Sequence, residues 1–457
     1  MNDFDVMVIG AGSAGRYGAK VAARAGARVG LVESGPFGGL CILNGCMPTK
    51  AYLRSSDLVG MIKKGPEVGV YTEGRIQLRF DQIKKRKDRL IAEMAEDAQL
   101  GTTGYSKIAL LSGAARFLSD NTLQVGETIY ACENYLIATG SRVGVPPLPG
   151  LEETGFLTSD DALALEELPA SMIVIGGGAE ALEFGQFFQR MGVNISMVQR
   201  SPLLLSQEDA DVGRAYGDLL RKDGIALWTG TQIEKIEKAG SLKRVRFIHE
   251  GKAQTLEGEE ILLVTGRTGN ITGLGLEAAG VQCDTTGIKV NAFLQTTNPK
   301  IYAAGDVTGL NLVVNVATYQ GKLAGENLVK GPVQQADYRV IPIAIFTDPQ
   351  FARVGLTERG AKEKGIPVRV GTFPFDDLGK AIVTDQTEGF IKILANPENG
   401  EILGVHIFGA EASDLIHQGA IAMHFRCTLE EYANIAHIHP TFGEIMLYLV
   451  EEMIEAV

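Results

Sequence analysis

Residues Gly38–Lys50 read GGLCILNGCMPTK. Cys41 and Cys46 lie close together in a chain with five cysteines. In a continuous helix their Cα atoms would stand roughly 8–9 Å apart, about 140° round the axis. A disulfide needs less than about 7 Å. The backbone between them must therefore be distorted, and Gly45 tolerates distortion. Gly38-Gly39 leads in, Pro48 comes two residues after the second sulfur, and Lys50 follows. The stretch reads as a redox disulfide at the start of a helix, where backbone N–H groups stabilise a thiolate. The alternative is a pair of buried free cysteines, and the neighbouring motifs weigh against it.

Upstream, DVMVIG (residues 5–10) is an apolar run of strand length. Gly10-Ala11-Gly12-Ser13-Ala14-Gly15 follows, then an alanine-rich helical stretch to about Gly26, then RVGLVES with Glu33 and Ser34 at its end. Strand, GxGxxG, helix, strand and acid form a dinucleotide-binding pattern. The first glycine permits the turn, the second lets the backbone approach a pyrophosphate, and the third lets helix and strand pack. Glu33 can accept a bond from a ribose hydroxyl.

A second copy begins at SMIVIGGG, with Gly176, Gly178 and Ala181, a helix through Met191 and the strand VNISMVQR. Two dinucleotide units and one cysteine pair imply an electron relay. The second strand ends in Gln199-Arg200-Ser201 instead of an acid. An acid would repel a 2′-phosphate, whereas an arginine can pair with it. This leans toward NADP over NAD; the alternative is that Arg200 is only a surface charge.

The 457 residues, 45% hydrophobic, leave room for about two to four domains. A net charge of −12 argues against nucleic acid as a partner. No window approaches the ~18 apolar residues of a membrane span. The N-terminus has no basic n-region, so the five cysteines point to a reducing, cytoplasmic compartment. Residues 79–99 read as a long helix carrying Lys84, Lys85, Arg86, Lys87 and Arg89, a solvated face or else a dock for an acidic partner. Short strands over 107–138 close in Ala138-Thr139-Gly140-Ser141. VPPLPG (145–150) is a rigid connector. Residues 224–264 read as a meander of strands, ending in ILLVTGRTGN with Gly266. TTNPKIYAAGDV then brings Gly305 and Asp306, an acid that can bond a polyol hydroxyl. The stretch 331–342 is a further boundary, with helices expected over 411–426 and 443–455. Between them lies His437-Ile438-His439-Pro440-Thr441-Phe442-Gly443-Glu444.

In this order, GGLCILNGCMPTK, both dinucleotide motifs, ATGS, TTNP…GD and HIHPTFGE make the chain resemble the two-cysteine pyridine nucleotide–disulfide oxidoreductases over essentially its whole length. The resemblance implies an α/β fold with two Rossmann-like dinucleotide-binding domains, for FAD and NAD(P), and a C-terminal α+β dimerisation domain. The expected boundaries are 1–146 (first part of the FAD domain), 147–270 (NAD(P) domain), 271–338 (second part of the FAD or central domain) and 339–457 (dimerisation). A homodimer is implied, in which His439 completes the other subunit's site. Cys41 resembles the interchange cysteine that meets substrate, and Cys46 the sulfur facing the flavin. Lys50 resembles the lysine beside the flavin N5, Glu183 its ion-pair partner, and His439 and Glu444 the acid–base pair. The FAD contacts carried over are Gly10, Gly12, Ser13, Ala14, Gly15, Glu33, Ser34, Gly39, Lys50, Ala138, Thr139, Gly140, Gly305 and Asp306. The NAD(P) contacts are Gly176, Gly178, Ala181, Gln199, Arg200 and Gly266. No metal site is expected. His437 is expected to be structural, and Cys132, Cys283 and Cys427 to be buried small apolar residues.

Within the family the likeness is greatest to dihydrolipoamide dehydrogenase-like enzymes, whose partner is a lipoyl-carrying protein or a small disulfide. The alternatives are an NADPH-dependent reductase of another disulfide or of a metal ion, glutathione reductase- or mercuric reductase-like, and a non-turnover flavoprotein subunit. The tail MLYLVEEMIEAV lacks the cysteine pair of mercuric reductases, and Ser206 stands where a second 2′-phosphate arginine is expected. Ala179 and Glu180 replace the usual aromatic or aliphatic residue and Ile, where nicotinamide docks on the flavin.

Overall fold

The computed structural model describes residues 4–74 and 76–456. Met1–Asp3, the start of the quoted N-terminus, and Val457, the end of the quoted tail, lie outside the described residues. The chain opens with β1 (Phe4–Ile9), α1 (Ser13–Arg24), β2 (Val29–Glu33), α2 (Gly39–Leu43), α3 (Cys46–Lys64) and α4 (Phe80–Thr103). Then come β3 (Ile108–Ser112), β4 (Ala115–Phe117), β5 (Thr122–Val125) and β6 (Thr128–Ile137). They form a sheet of order β3-β2-β1-β6-β5-β4, and the later strand Ile301–Ala303 returns to pair with β6. β1 is parallel to both β2 and β6. The strand order therefore reverses at β1, and a crevice opens beyond its C-terminal end, where ligands bind in sheets of this kind. Val6–Ile9 are buried because both faces of β1 are covered, as a parallel strand requires.

A second parallel sheet joins Ala226–Trp228, Asn194–Val198, Ser171–Ile175 and Glu260–Leu263 in that order. The meander expected over 224–264 is narrower than that. Only Thr231–Ala239, Leu242–His249 and Lys252–Gly258 pair antiparallel. The two flanking segments leave it because Ile261–Leu263 are fully buried and Ala226–Trp228 extends the parallel edge. The last region is a five-stranded antiparallel sheet. Helices Ala412–His424 and Glu444–Glu455 share its core through Ile416, Met446 and Leu449.

Several contacts fix the regions to one another, among them an aromatic stack and a buried lysine. Tyr52 of α3 stacks on Phe187 of helix Ala179–Arg190, with centroids 4.9 Å apart and planes at 4°. Lys392, 1% exposed, donates at 2.8 Å to each of Asp209, Asp211 and Glu358. On α4, Lys84 bonds Asp88 and Glu166, Lys87 bonds Asp88 and the Leu163 carbonyl, Arg86 bonds the Ala51 carbonyl, and Arg89 bonds Glu93. These cations are engaged within the chain, which favours the solvated-face reading over the dock. Among the described residues no helix is long and apolar enough to cross a membrane.

Candidate active site

The helix expected around the two cysteines is broken between them. α2 ends at Leu43, and Gly45 (φ −139°, ψ −113°) precedes Cys46, the first residue of α3. A Cβ on Gly45 would lie 2.9 Å from the Leu40 carbonyl oxygen. Gly39 has φ +70°, and a Cβ there would sit 2.4 Å from the Gly12 Cα. Glycine thus lets the cysteine turn close on itself and press against the first dinucleotide loop.

The sulfurs are free thiols that hydrogen-bond each other. The bridge expected from the sequence is not formed here. The break brings the two sulfurs together, the placement that passing between bridged and dithiol forms requires. Their acidities diverge. The bond to Cys46, burial and the neighbouring negative sulfur push the Cys41 thiol up. Cys46 falls to about 7, first because the Cys41 thiol donates to it; burial opposes the fall, and Lys50 and its own N–H add to it. The thiolate therefore sits on Cys46, at the start of α3.

Lys50 Nζ donates to Glu183 Oε1 (2.9 Å) and Oε2 (2.7 Å) and lies 4.5 Å from the Phe346 ring centroid. Glu183 also accepts from the Phe346 N–H at 2.9 Å. Glu183 and Phe187, four apart, share a helix face: one meets Lys50 and the other meets Tyr52. His439 Nδ1 is 2.9 Å from Glu444 Oε1, and the His439 side chain is 71% exposed. Burial would raise the Glu444 carboxyl, but bonds from the Thr441 N–H, His439 and the Tyr448 hydroxyl hold it below its ordinary range. His437 bonds Tyr432 and the Ile435 carbonyl, as a structural residue does.

The crevice beyond β1 fits the FAD implied by the resemblance. α1 starts at Ser13 with Gly12 as N-cap and no side-chain cap, so its first N–H groups are available to a pyrophosphate. A Cβ on Gly15 would lie 1.8 Å from the Gly10 carbonyl, and one on Gly10 would lie 2.4 Å from that of Ala138. Glu33 accepts from the N–H of Ala11 (2.8 Å), Ser34 (2.8 Å) and Gly35 (3.0 Å), so its carboxylate is fixed at the end of β2. Thr139 Oγ1 and the Gly140 carbonyl both bond Asn270. Asp306 follows Gly305, whose N–H is held by Gln320, and Asp306 accepts from Ser141 Oγ at 2.7 Å. Burial raises its carboxyl.

The second unit lines a cavity of about 1650 Å³ that includes Gly176–Glu180, Gln199, Arg200, Ser206, Gly266 and Arg267. Ala181 lies just behind it, fully buried. Arg200 is exposed and pairs with no carboxylate among the described residues. Glu180 is half-buried with no hydrogen-bond partner among them, and burial raises its carboxyl. Among the described residues no three His, Cys, Asp or Glu side chains cluster as a metal site. Cys132 is buried as expected and Cys427 packs against the core, but Cys283 is exposed. Cys283 lies in the irregular segment beyond Val281 and is not covered by the core.

Residues 4–321 match the family model for pyridine nucleotide-disulphide oxidoreductases, and residues 341–449 match that family's dimerisation domain. The chain belongs to this family. Its members use FAD and NAD(P)H, and the dimerisation domain supports a homodimer. The chain is 35% identical to a mercuric reductase of Lysinibacillus sphaericus over 97% of its own length and 81% of the relative's. It is 34% identical to a dihydrolipoyl dehydrogenase of Bacillus subtilis, over 97% and 96% of the two chains. Among solved structures it resembles the HOCl-induced flavoprotein disulfide reductase RclA of Escherichia coli, in the copper(II) complex of a cysteine-to-serine mutant. There the TM-score is 0.87 and the identity 26%, with 99% of each chain covered.

Sequence reasoning passed over Arg267, whose guanidinium holds Ser141 beside Asp306, and Phe346, which closes on Lys50. It also missed Arg16, nearly buried on α1 with its Nε unpartnered among the described residues. Nothing in the sequence around it, which also holds Tyr17 and Lys20, singles Arg16 out.

Proposed function

We propose that the protein moves electron pairs between a nicotinamide and a dithiol or disulfide substrate, with Cys41 and Cys46 as the exchange pair. A lipoyl group is the substrate this reading favours, as the dihydrolipoyl dehydrogenases among its relatives act on one by name. The observation that carries the reading is the cysteine pair itself, brought together by the break at Gly45 at the head of α3, one turn before the Lys50–Glu183 ion pair. Cys46 holds the thiolate against Lys50, and Cys41, the more protonated sulfur, is the one that meets substrate.

In the reducing direction Cys41, once deprotonated, attacks a substrate disulfide. One substrate sulfur leaves as a thiol, and a mixed disulfide forms. Cys46 thiolate then attacks the Cys41 sulfur, so that the pair bridges and the second substrate sulfur leaves. His439 of the partner subunit, oriented by Glu444, takes the Cys41 proton and returns it to the first leaving sulfur; the second leaves as a thiolate and takes its proton from solvent. FAD supplies a two-electron relay between the pair and the nicotinamide when bound. The residues that would hold it are Gly10–Gly15, Glu33, Gly39, Lys50, Ala138–Gly140 and Asp306. Oxidation of a dihydrolipoyl group is the same sequence reversed.

A second reading is an NADPH-dependent reductase of another disulfide or of a metal ion. It is favoured by the free Arg200 at the mouth of the second unit and by the mercuric reductase relatives. A substrate panel of lipoamide, dihydrolipoamide, glutathione disulfide and Hg(II), crossed with NADH and NADPH, decides between them. Lipoyl turnover no faster than glutathione turnover ends the first reading.

A further inference from the structure

We propose that the Glu180 carboxylate distinguishes the two redox states of the nicotinamide, holding the positively charged oxidised ring more tightly than the neutral reduced one. The proposal rests on the reading above, in which a nicotinamide exchanges an electron pair with the cysteine pair. It gives that exchange a lean toward reduction of the disulfide, because tighter binding of the oxidised nicotinamide favours the state in which the enzyme holds the electrons.

Glu180 is the second residue of helix Ala179–Arg190, whose N-cap is Gly178. It lines the cavity of the second dinucleotide unit, together with Arg200 and the segment Ile343–Ile345. That segment leads directly into Phe346, whose ring centroid lies 4.5 Å from Lys50 Nζ and whose N–H donates to Glu183 at 2.9 Å. Glu183 stands three residues beyond Glu180, on the same helix face, and both its oxygens hold Lys50, one turn beyond Cys46. Glu180 therefore borders the part of the cavity that adjoins the cysteine turn, while Arg200 offers its cation at the end of the neighbouring strand. A dinucleotide with a phosphate at the arginine has its redox ring at the carboxylate.

Glu180 lacks a cation of its own. It is half-buried, and no hydrogen bond or ion pair reaches it among the described residues. Arg267 lines the same cavity, but its guanidinium is engaged with the Ser141 hydroxyl (3.0 Å) and carbonyl (3.2 Å) and with Ser159 (3.5 Å). Lys50 is held by Glu183. Burial raises the Glu180 carboxyl; Arg267 and Lys50 pull it down, and Glu183 and Asp160 push it up. A carboxylate so placed is costly until a positive group arrives. A nicotinamide ring goes from neutral to singly positive when it gives up a hydride, so only the oxidised form offers that charge. An acid in the first turn also suits the helix dipole, but that effect is the same whichever ring is bound.

The test is equilibrium binding to the oxidised, flavin-loaded enzyme, with NADP+ and with its tetrahydro analogue, whose neutral ring has no hydride to give, and again with the NAD+ pair. We expect the affinity ratio, oxidised over neutral ring, to fall about tenfold in Glu180→Gln and in Glu180→Ile, the lower end of what one opposite charge does to a titrating partner. Glu180→Asp should keep part of it. In the wild type the ratio should also fall as pH drops through the raised Glu180 value, because protonation removes the charge, and in Glu180→Gln it should stay flat. Both ligands of a pair carry the same phosphates, so phosphate titration cancels. A ratio unchanged in Glu180→Gln, or an equal loss for both ligands, overturns the proposal. If no variant keeps its flavin, the wild-type series decides, and a ratio flat between about pH 5 and 8 overturns it. These titrations need no disulfide. A ratio that Glu180→Gln lowers, in an enzyme that turns over no disulfide, would leave the role of Glu180 standing and remove the exchange reaction proposed above. Lipoamide turnover with an unchanged ratio would do the reverse.

Discussion

The two dinucleotide units share one plan and differ at two points. In the first, the third small residue of the turn is Gly15, whose absent Cβ would collide with the Gly10 carbonyl at 1.8 Å. In the second, that residue is Ala181, whose methyl group is fully buried and accommodated. The first unit ends in Glu33, pinned by three backbone N–H groups. The second ends in Gln199 and in Arg200, which has no carboxylate partner among the described residues, at the mouth of a large open cavity. One unit is a close-fitting cradle with a fixed acid, suited to a resident group. The other is a wider cleft with a free cation, suited to a ligand that comes and goes.

The sharpest way to break this contrast is to exchange the small residues. Gly15→Ala drives a methyl group into backbone and should lower bound flavin at least tenfold, read from the absorbance ratio of flavin to protein. Ala181→Gly should cost only about 0.5–1 kcal/mol of stability by thermal melting. Next is the tie that holds the second unit to the C-terminal sheet. Lys392→Met leaves Asp209 and its neighbours as uncompensated charge and should cost about 3–5 kcal/mol, measured by denaturant unfolding. Burial alone would raise Asp209, but the Lys392 bond and the N–H groups of Glu358 and Arg359 hold it below its ordinary range. The stabilisation from Asp209 is therefore complete above the ordinary Asp range and is lost as pH falls through the lowered value.

How much of this was legible beforehand follows the range of the interactions. The GxGxxG turns and the break at Gly45 are local, and each shows as a spacing; the His439–Glu444 pair is also local but took its role from the family resemblance. Lys50–Glu183 joins residues far apart in sequence and was reached only through family resemblance. Lys392 and Arg16 gave no pattern of their own. A buried cation is known by what surrounds it, and for these two the surroundings come from other segments. Cys283 was misplaced for the same reason, since composition does not say which face of a loop is covered.

Two smaller effects sharpen the comparison. Arg200→Ala should raise the KM for NADPH about tenfold and leave that for NADH nearly unchanged, if the cation reads a 2′-phosphate. Equal effects on both nicotinamides would make Arg200 a surface charge. Lys50→Gln removes the cation that helps hold the Cys46 thiolate. The midpoint for thiolate formation in the reduced enzyme, about 7 with the lysine present, should move up by roughly one pH unit, followed by ultraviolet absorbance.

The Glu183 carboxylate is a joint. It belongs to the helix of the second unit, grips the lysine one turn beyond Cys46, and accepts a hydrogen bond from the Phe346 N–H in the C-terminal region. Drawing the second unit away from the cysteine turn would break both grips, so one carboxylate ties the nicotinamide-side helix, the exchange pair and the C-terminal region together.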